Sequence, residues 1–366
     1  MRIAVTVDPY IPIPPRYYGG IERVVDFLVR GLLERGHEVT LFAHPDTETD
    51  ATLVRYGVPP HEGLWPRVRE LWQVGACLYR LRRRIDIVHS FGRLAALLPV
   101  LPVRSLPKLQ SYQRDVLPMK GIRRARLMAG GSLKFTACST QMYARRYPEA
   151  TATELMAPEA TAPEWTTVYN GVDFDKYTFV PSVGPEAPLA FLGRIEHIKG
   201  THHAIAVAKA TGRQLLIAGN VADQNYFDEA VAPELDDDAI RYLGPVDDVQ
   251  KNELLGRSAA LLMTIDWEEP FGIVMAEAMA CGTPVIAHPL GSMPELIRDR
   301  ENGFLVGSID EAVAAVRVSD RMDRTEVRTS VERRFDANRM VDEYLAVYHR
   351  VVGHHRAGRA QGSNVR

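Results

Sequence analysis

Residues 268–287, EEPFGIVMAEAMACGTPVIA, carry the decisive pattern. From Ile273 to Cys281 the spacing predicts a short helix, closed by Gly282, with Thr283–Pro284 leading into an apolar strand. The charged side chain of that helix is Glu277, and the positions three and four away are Ile273, Val274, Ala280 and Cys281. A helix apolar nearly all round is a buried helix. A buried ionised carboxylate costs several kcal/mol unless it has a partner. Glu277 therefore calls for a hidden cation, an edge open to water, or a polar ligand, and the ligand is the favoured reading. Glu269 stands eight residues earlier, just ahead of a Pro-Phe-Gly loop.

Working outward, the chain has 366 residues, enough for two domains of ordinary size. Its 46% hydrophobic and 25% charged content is that of a globular protein. No apolar run approaches the ~20 residues that span a bilayer. The start, MRIAVTVDPYIPIPP, lacks the apolar core and cleavage site of a signal peptide, so a cytoplasmic address is expected. Cys77, Cys138 and Cys281 are widely spaced and suggest neither a disulfide framework nor a zinc pattern. The net charge of −2 conceals an asymmetry. Residues 1–170 hold 23 Lys/Arg against 16 Asp/Glu, and residues 171–366 hold 21 against 30. Basic clusters at 80–84 (RLRRR) and 122–128 (IRRARLM) read as solvated helix faces or as a surface for an acidic acceptor or the inner face of an anionic membrane. Nothing points to nucleic acid.

Short apolar runs alternate with helical ones. Strands are expected at 2–8, 37–43, 86–91, 108–113, 135–139 and 166–171, and again at 189–195, 214–219, 240–244, 260–265 and 284–288. Between them lie amphipathic stretches such as 20–36, where Val24, Phe27, Leu28, Val29, Leu32 and Leu33 form the apolar surface. Such alternation means α/β architecture, two parallel sheets covered by helices on both faces. The expected division is a first domain over 1–178, a Pro/Gly-rich linker over 179–188, and a second domain over 189–335. A helix over 336–352 returns toward the first domain, and a loosely held tail covers 353–366.

Ligands bind beyond the carboxyl ends of strands in open parallel sheets, and the chemical residues of this chain follow strands. Gly19 and Gly20 open the first helix, where a backbone without side chains and free N–H groups suits an anion, although a plain turn explains the pair equally well. After the strand at 189 comes GRIEHIKG, in which Arg194 and Lys199 flank a helix start and suit a diphosphate. No Gly-x-Gly-x-x-Gly follows a strand, which argues against a nicotinamide dehydrogenase.

Taken jointly, the Gly-rich helix start, Arg-x4-Lys-Gly and Glu-x7-Glu across a Phe-Gly turn closely resemble the retaining nucleotide-sugar glycosyltransferases of family 4. That family has the GT-B fold, two doubly wound Rossmann-like domains facing each other across a cleft. The resemblance runs from GGIERVVDFLVRGLLERGHEVTLFA through NGVD (170–173) to EPFGIVMAEAMACGTPVIA. It implies a metal-independent enzyme that moves a hexose from a nucleotide-diphosphate sugar, a UDP-sugar ahead of GDP-mannose, with retention and without a cofactor. The acceptor would be a small molecule, a glycan or a lipid-linked sugar. Arg194 and Lys199 would hold the diphosphate, and Glu269 would contact the sugar hydroxyls. Backbone N–H groups of Phe271, Gly272, Ile273 and Val274 would bind sugar and phosphate oxygens. Glu277 would accept from the ribose, the base would rest near Val246, and Gly19 and Gly20 would close on the phosphates from the opposite domain.

One departure concerns the acceptor side. The family often carries Thr-x-His where this chain has Ser111, Tyr112 and Gln113, and Gln carries no charge and shuttles no proton. Tyr112, Gln113 and His89 are candidate acceptor neighbours, with a structural role for His89 as the equal alternative, and Tyr17 and Tyr18 are candidates for the entrance. Asp-x-Asp runs at 173–175 and 236–238 suit hard cations but read as solvated, so no metal is expected. The rival functions are a sugar-nucleotide 2-epimerase of the same fold and a catalytically silent sugar-nucleotide-binding subunit.

Overall fold

The structure is a computed structural model that describes every residue except 18, 58–63, 115–116, 145–164, 237 and 364–366; at 64–67, 70, 119 and 354–363 the backbone alone is described. The assignments made to Tyr18 and to the middle of the 236–238 run lie outside the described residues. The chain forms two compact units, one of Met1–Pro15, Gly19–Tyr169 and Asn338–Arg366, the other of Arg16–Tyr18 and Asn170–Ala337.

The first unit holds seven parallel strands: β1 (Arg2–Thr6), β2 (Glu38–Ala43), β3 (Thr52–Arg55), β4 (Ile87–Ser90), β5 (Lys108–Tyr112), β6 (Leu133–Ala137) and β7 (Trp165–Thr167). Their order is β3-β2-β1-β4-β5-β6-β7, with Ile3 opposite Val39 on one side and Ile87 on the other. All residues of β4 and β5 are buried, as expected of strands covered on both faces. Helix Gly20–Glu34 turns Val24, Val25, Leu28 and Leu32 into that core. Helix Ala337–Ser363 also belongs to this unit from Asn338 onward, and it buries Tyr344 and Tyr348.

The second unit repeats the plan. Strands β8 (Leu189–Leu192), β9 (Leu215–Ala218), β10 (Ile240–Tyr242), β11 (Ala260–Met263), β12 (Val285–Ala287) and β13 (Gly303–Leu305) run in the order β10-β9-β8-β11-β12-β13, again all parallel. Counted within the unit, this is the doubly wound order 3-2-1-4-5-6. Its core joins Leu189, Phe191, Ile217 and Leu262 of the sheet to Ile205 and Val316 of the covering helices.

The two parallel-sheet domains anticipated from the sequence are present, with four differences in detail. Strands β3 and β13 were not expected; Thr52–Arg55 has no buried residue, and Gly303–Leu305 is three residues long, so neither makes a strong apolar run. The units divide at Tyr169/Asn170, not at 179–188. The stretch read as a linker is pinned inside the second unit, where the Val180 N–H donates to Cys281 O at 3.0 Å and the Arg324 guanidinium donates to Val180 O at 2.7 Å. The last helix continues through the expected loose tail to Ser363. Among the described residues no helix is long and apolar enough to cross a membrane. Arg83, Arg84, Arg123, Arg124 and Arg126 are exposed.

Candidate active site

The strand order of the second unit reverses at β8, which has β9 on one side and β11 on the other. In open parallel sheets, ligands bind at such a switch point, beyond the carboxyl ends of the strands, here β8 and β11. The β8 loop supplies Arg194 and Lys199, and the β11 loop supplies Trp267, Glu268 and Glu269 before helix Ile273–Ala280. The loops are stitched together: the Asp266 N–H donates to Ile198 O at 2.9 Å, and the Thr264 hydroxyl donates to Gly200 O at 3.1 Å.

Lys199 Nζ lies 2.7 Å from Glu269 Oε2, which also accepts from Trp267 Nε1 at 3.1 Å, and the ammonium stands 4.3 Å from the Trp267 ring centroid. Both ends of the pair are largely buried, at 14% and 12% side-chain exposure, so the charge interaction is poorly screened by water. Arg194 pairs with Glu196 at 2.6 Å and is more open, at 32%. Two cations thus face a region where their countercharges are carboxylates of the same loops.

Gly272 caps the helix at φ 72, and a Cβ there would stand 2.9 Å from Met275 Cε and 3.3 Å from Glu269 Cγ. The first N–H groups of any helix have no intrahelical acceptor and present partial positive charge. Here they belong to the segment that carries Phe271 (buried) and the half-buried Ile273 and Val274. Val246 is half-buried in the loop between β10 and helix Asp248–Arg257. A loop unrecognised in the sequence supports the turn from behind: the Gly291 N–H donates to Glu268 Oε2 at 2.5 Å, and the Ser292 N–H donates to Glu269 O at 2.9 Å. Gly291 and Ser292 follow β12, so their place after a strand was the available signal.

Gly200 has φ +69, and a Cβ on it would meet Thr264 O at 1.8 Å. Gly200→Ala is therefore expected to cost more than the ~1–2 kcal/mol of a left-handed L-residue, because the backbone contact that joins the two loops must also open. Urea unfolding checks this, and a variant as stable as the parent would show that the loops are not tied here.

Glu277 has a partner within the chain. Its side chain is 4% exposed, and Oε1 accepts from Lys251 Nζ at 2.7 Å and from the Tyr177 hydroxyl at 2.6 Å. The hidden partner is a lysine of the preceding crossover helix. Local periodicity could not reveal a contact made across 26 residues.

In the first unit, His89 is a core residue. It is 0% exposed, with Nδ1 2.6 Å from the Tyr348 hydroxyl and Nε2 2.6 Å from Ser111 Oγ. Burial drives its pKa down to about 3, so it stays neutral and is closed to an acceptor. Tyr112 and Gln113 do meet at a cavity of about 600 Å³, with Asp8, Arg93, Arg114 and Arg124 among an otherwise largely apolar lining that includes Leu94 and Leu98. The Tyr112 hydroxyl and Gln113 Nε2 are buried with no hydrogen-bond partner among the described residues. Burial pushes the Tyr112 phenol above its ordinary value. Gly19 precedes the helix that begins at Gly20, and a Cβ on Gly19 would stand 2.6 Å from Pro15 Cβ and 3.1 Å from Glu22 Oε2. Of the acidic runs, Asp236 spends its carboxylate on the N–H groups of Asp238 and Ile240.

Residues 179–334 match the glycosyl transferases group 1 family, and residues 18–142 match Glycosyltransferase Family 4. The chain is a glycosyltransferase of the GT-B type. Among its relatives, the glycogen synthase of Mycobacterium tuberculosis is 26% identical over 88% of this chain and 86% of that protein. The D-inositol 3-phosphate glycosyltransferase of Mycolicibacterium smegmatis is 31% identical over 52% of this chain and 48% of its own length. In structure, a glycosyltransferase of avilamycin A biosynthesis superposes with a TM-score of 0.68 at 23% identity, covering 96% of this chain and 98% of that one. Anabaena HepE with UDP and glucose superposes with a TM-score of 0.71 at 19% identity over 95% and 99%. Within this glycosyltransferase, Arg194, Lys199, Glu269 and Glu277 all lie in the group 1 domain, and Tyr112 and Gln113 lie in the family 4 domain.

Proposed function

We propose that this glycosyltransferase moves a hexose from a UDP-sugar to an acceptor hydroxyl, with retention at the anomeric carbon and without a metal ion. The observation that carries the reading is the Lys199–Glu269 pair, set between the β8 and β11 loops and ahead of the Gly272-capped helix. The Anabaena HepE structures, of the same fold, hold UDP, UDP-glucose, or UDP with glucose, which supports the choice of donor.

The donor diphosphate draws Lys199 and Arg194 from their carboxylates and lies toward the helix N-terminus. Glu269, released from Lys199, accepts from the sugar hydroxyls. As the bond between the anomeric carbon and the diphosphate breaks, the cations and N–H dipoles stabilise the charge that builds on the leaving group. The acceptor oxygen bonds to that carbon on the face the phosphate vacates, and its proton passes to the leaving phosphate oxygen. Gln113 supplies no base. The cavity beside Tyr112 favours an acceptor with an apolar portion and an anionic group, matching its leucines and arginines.

The reading is tested by incubating the enzyme with α-linked UDP-glucose and UDP-galactose and a panel of amphiphilic anionic acceptors, with EDTA throughout. NMR coupling constants of the fresh product are expected to show an α-glycoside at an undiminished rate. A β-glycoside would overturn retention, and a rate abolished by EDTA and restored by Mn2+ would overturn the metal-free mechanism.

A further inference from the structure

Beside the candidate donor site, four imidazoles and a carboxylate gather: His197 in the β8 loop, His202 and His203 in helix Thr201–Thr211 that follows it, Asp266 in the β11 loop and His288 just after β12. His203 Nε2 is 3.0 Å from Asp266 Oδ2, and the rings of His202 and His203 are 4.0 Å apart at their centroids. Ligand atoms of His202, His203 and Asp266 all lie within 4.8 Å of one another. His288 and His197 flank them, with ring centroids 5.7 Å from His203 and 5.1 Å from His202.

An ordinary His–Asp pair accounts for two of these groups and leaves His288 unexplained. The Nδ1 of His288 is 2.9 Å from Ile265 O, which fixes the proton on Nδ1. Its Nε2 is buried with no hydrogen-bond partner among the described residues. A lone pair held on Nε2 by a backbone carbonyl behind the ring is the arrangement of a metal-binding histidine. His202 is held as well: its Nδ1 is 2.7 Å from the Tyr226 hydroxyl, which also accepts the His202 backbone N–H at 3.1 Å. Buried polar nitrogens without partners are rare enough to require a reason.

We propose that His202, His203 and Asp266, with His288 beside them, form a binding site for a borderline divalent transition metal of the Zn2+ class. Imidazole nitrogen with one carboxylate is the donor set such ions prefer, whereas Mg2+ and Ca2+ take oxygen. Metal bonds of about 2.0–2.2 Å place tetrahedral ligands about 3.3 Å apart. The His203–Asp266 separation of 3.0 Å is already close to that, and side-chain rotation brings in the third ligand. His203 and Asp266 are 28% and 35% exposed, so an ion has access. The site does not take part in sugar transfer and does not depend on the transferase reading. Its effect is to clamp the β8 loop to the β11 loop, one step from Lys199 and Glu269. Metal is therefore expected to stiffen the donor site.

The test titrates the full-length, chelator-stripped protein with Co2+ and follows the visible d–d bands, then displaces Co2+ with Zn2+. One equivalent is expected to bind without thiolate charge-transfer absorption. Zn2+ is expected to raise the thermal midpoint by mass action. Asp266→Asn and His203→Ala should each weaken binding by at least about tenfold and abolish the Zn2+-dependent thermal shift. His354→Ala/His355→Ala, which removes the other histidine pair in the sequence, should change neither. If His203→Ala fails to fold without metal, as judged by circular dichroism, His202→Gln puts the same question. Absence of cobalt bands in the parent, unchanged binding in the Asp266 and His203 variants, or loss of binding in the 354/355 variant would each overturn the proposal.

Discussion

Lys199→Met is expected to lower donor turnover by about 10²–10³-fold with little change in fold, the usual loss when one preorganised donor to a developing anion is removed. The ammonium has no bulk water to replace it, since the Lys199–Glu269 pair is largely shielded and closed over by Trp267. Methionine keeps the unbranched stem, one atom shorter, while removing the charge. The loss should fall on kcat more than on KM, because charge on the departing diphosphate grows in the transition state. Glu269 keeps its bond from Trp267 in the variant but loses its countercharge, so stability should fall as well, by no more than the ~3–5 kcal/mol that breaking a buried pair costs. Steady-state kinetics beside thermal unfolding separate the two effects. A variant with normal turnover and a lowered midpoint would reassign the pair to architecture, and the proposed reaction would lose its main support.

The second large effect is expected at Glu277, and there it falls on stability. Its carboxylate and the Lys251 ammonium are 2.7 Å apart with side-chain exposures of 4% and 10%. Glu277→Gln keeps an acceptor for the Tyr177 hydroxyl and leaves the lysine charge to the more exposed Asp248 carboxylate, 3.3 Å away. Breaking a buried pair in this way costs about 3–5 kcal/mol, whereas removing both charges is often neutral. Glu277→Leu combined with Lys251→Met should therefore recover most of the stability lost by the single variant. If Glu277 also accepts from the donor ribose, the folded fraction of Glu277→Gln should bind UDP-glucose more weakly by roughly 1.5–3 kcal/mol. Urea unfolding and calorimetric titration read the two effects separately. Full stability in the single variant would deny the ion pair its structural role, and unchanged donor affinity would confine Glu277 to it.

Element type and order were legible because they are local properties. A buried parallel strand is a short apolar run, an amphipathic helix repeats every 3.6 residues, and both signals survive without neighbours. That is why the eleven strands expected from the sequence include β8 and β11, whose loops hold Arg194, Lys199 and Glu269, and why the helix after Gly272 was placed within a residue of its end. A loop's place after a strand follows from the same reading, and so did the location of the candidate site. Contacts made across the crossovers were not legible. The partner of Glu277 lies 26 residues away and that of Lys199 lies 70 away, and no local pattern encodes which side chains a doubly wound sheet brings together. His89 was open to two roles until helix Ala337–Ser363 placed Tyr348 against its Nδ1. The Pro/Gly-rich stretch at 179–188 has the composition of a linker, but the guanidinium of Arg324, 144 residues on, holds Val180. Composition and period thus determined the two sheets and the loops that carry charge. Tertiary packing alone decided which charges are buried, paired or left for a ligand, because the free energy of a charge depends on what surrounds it in space.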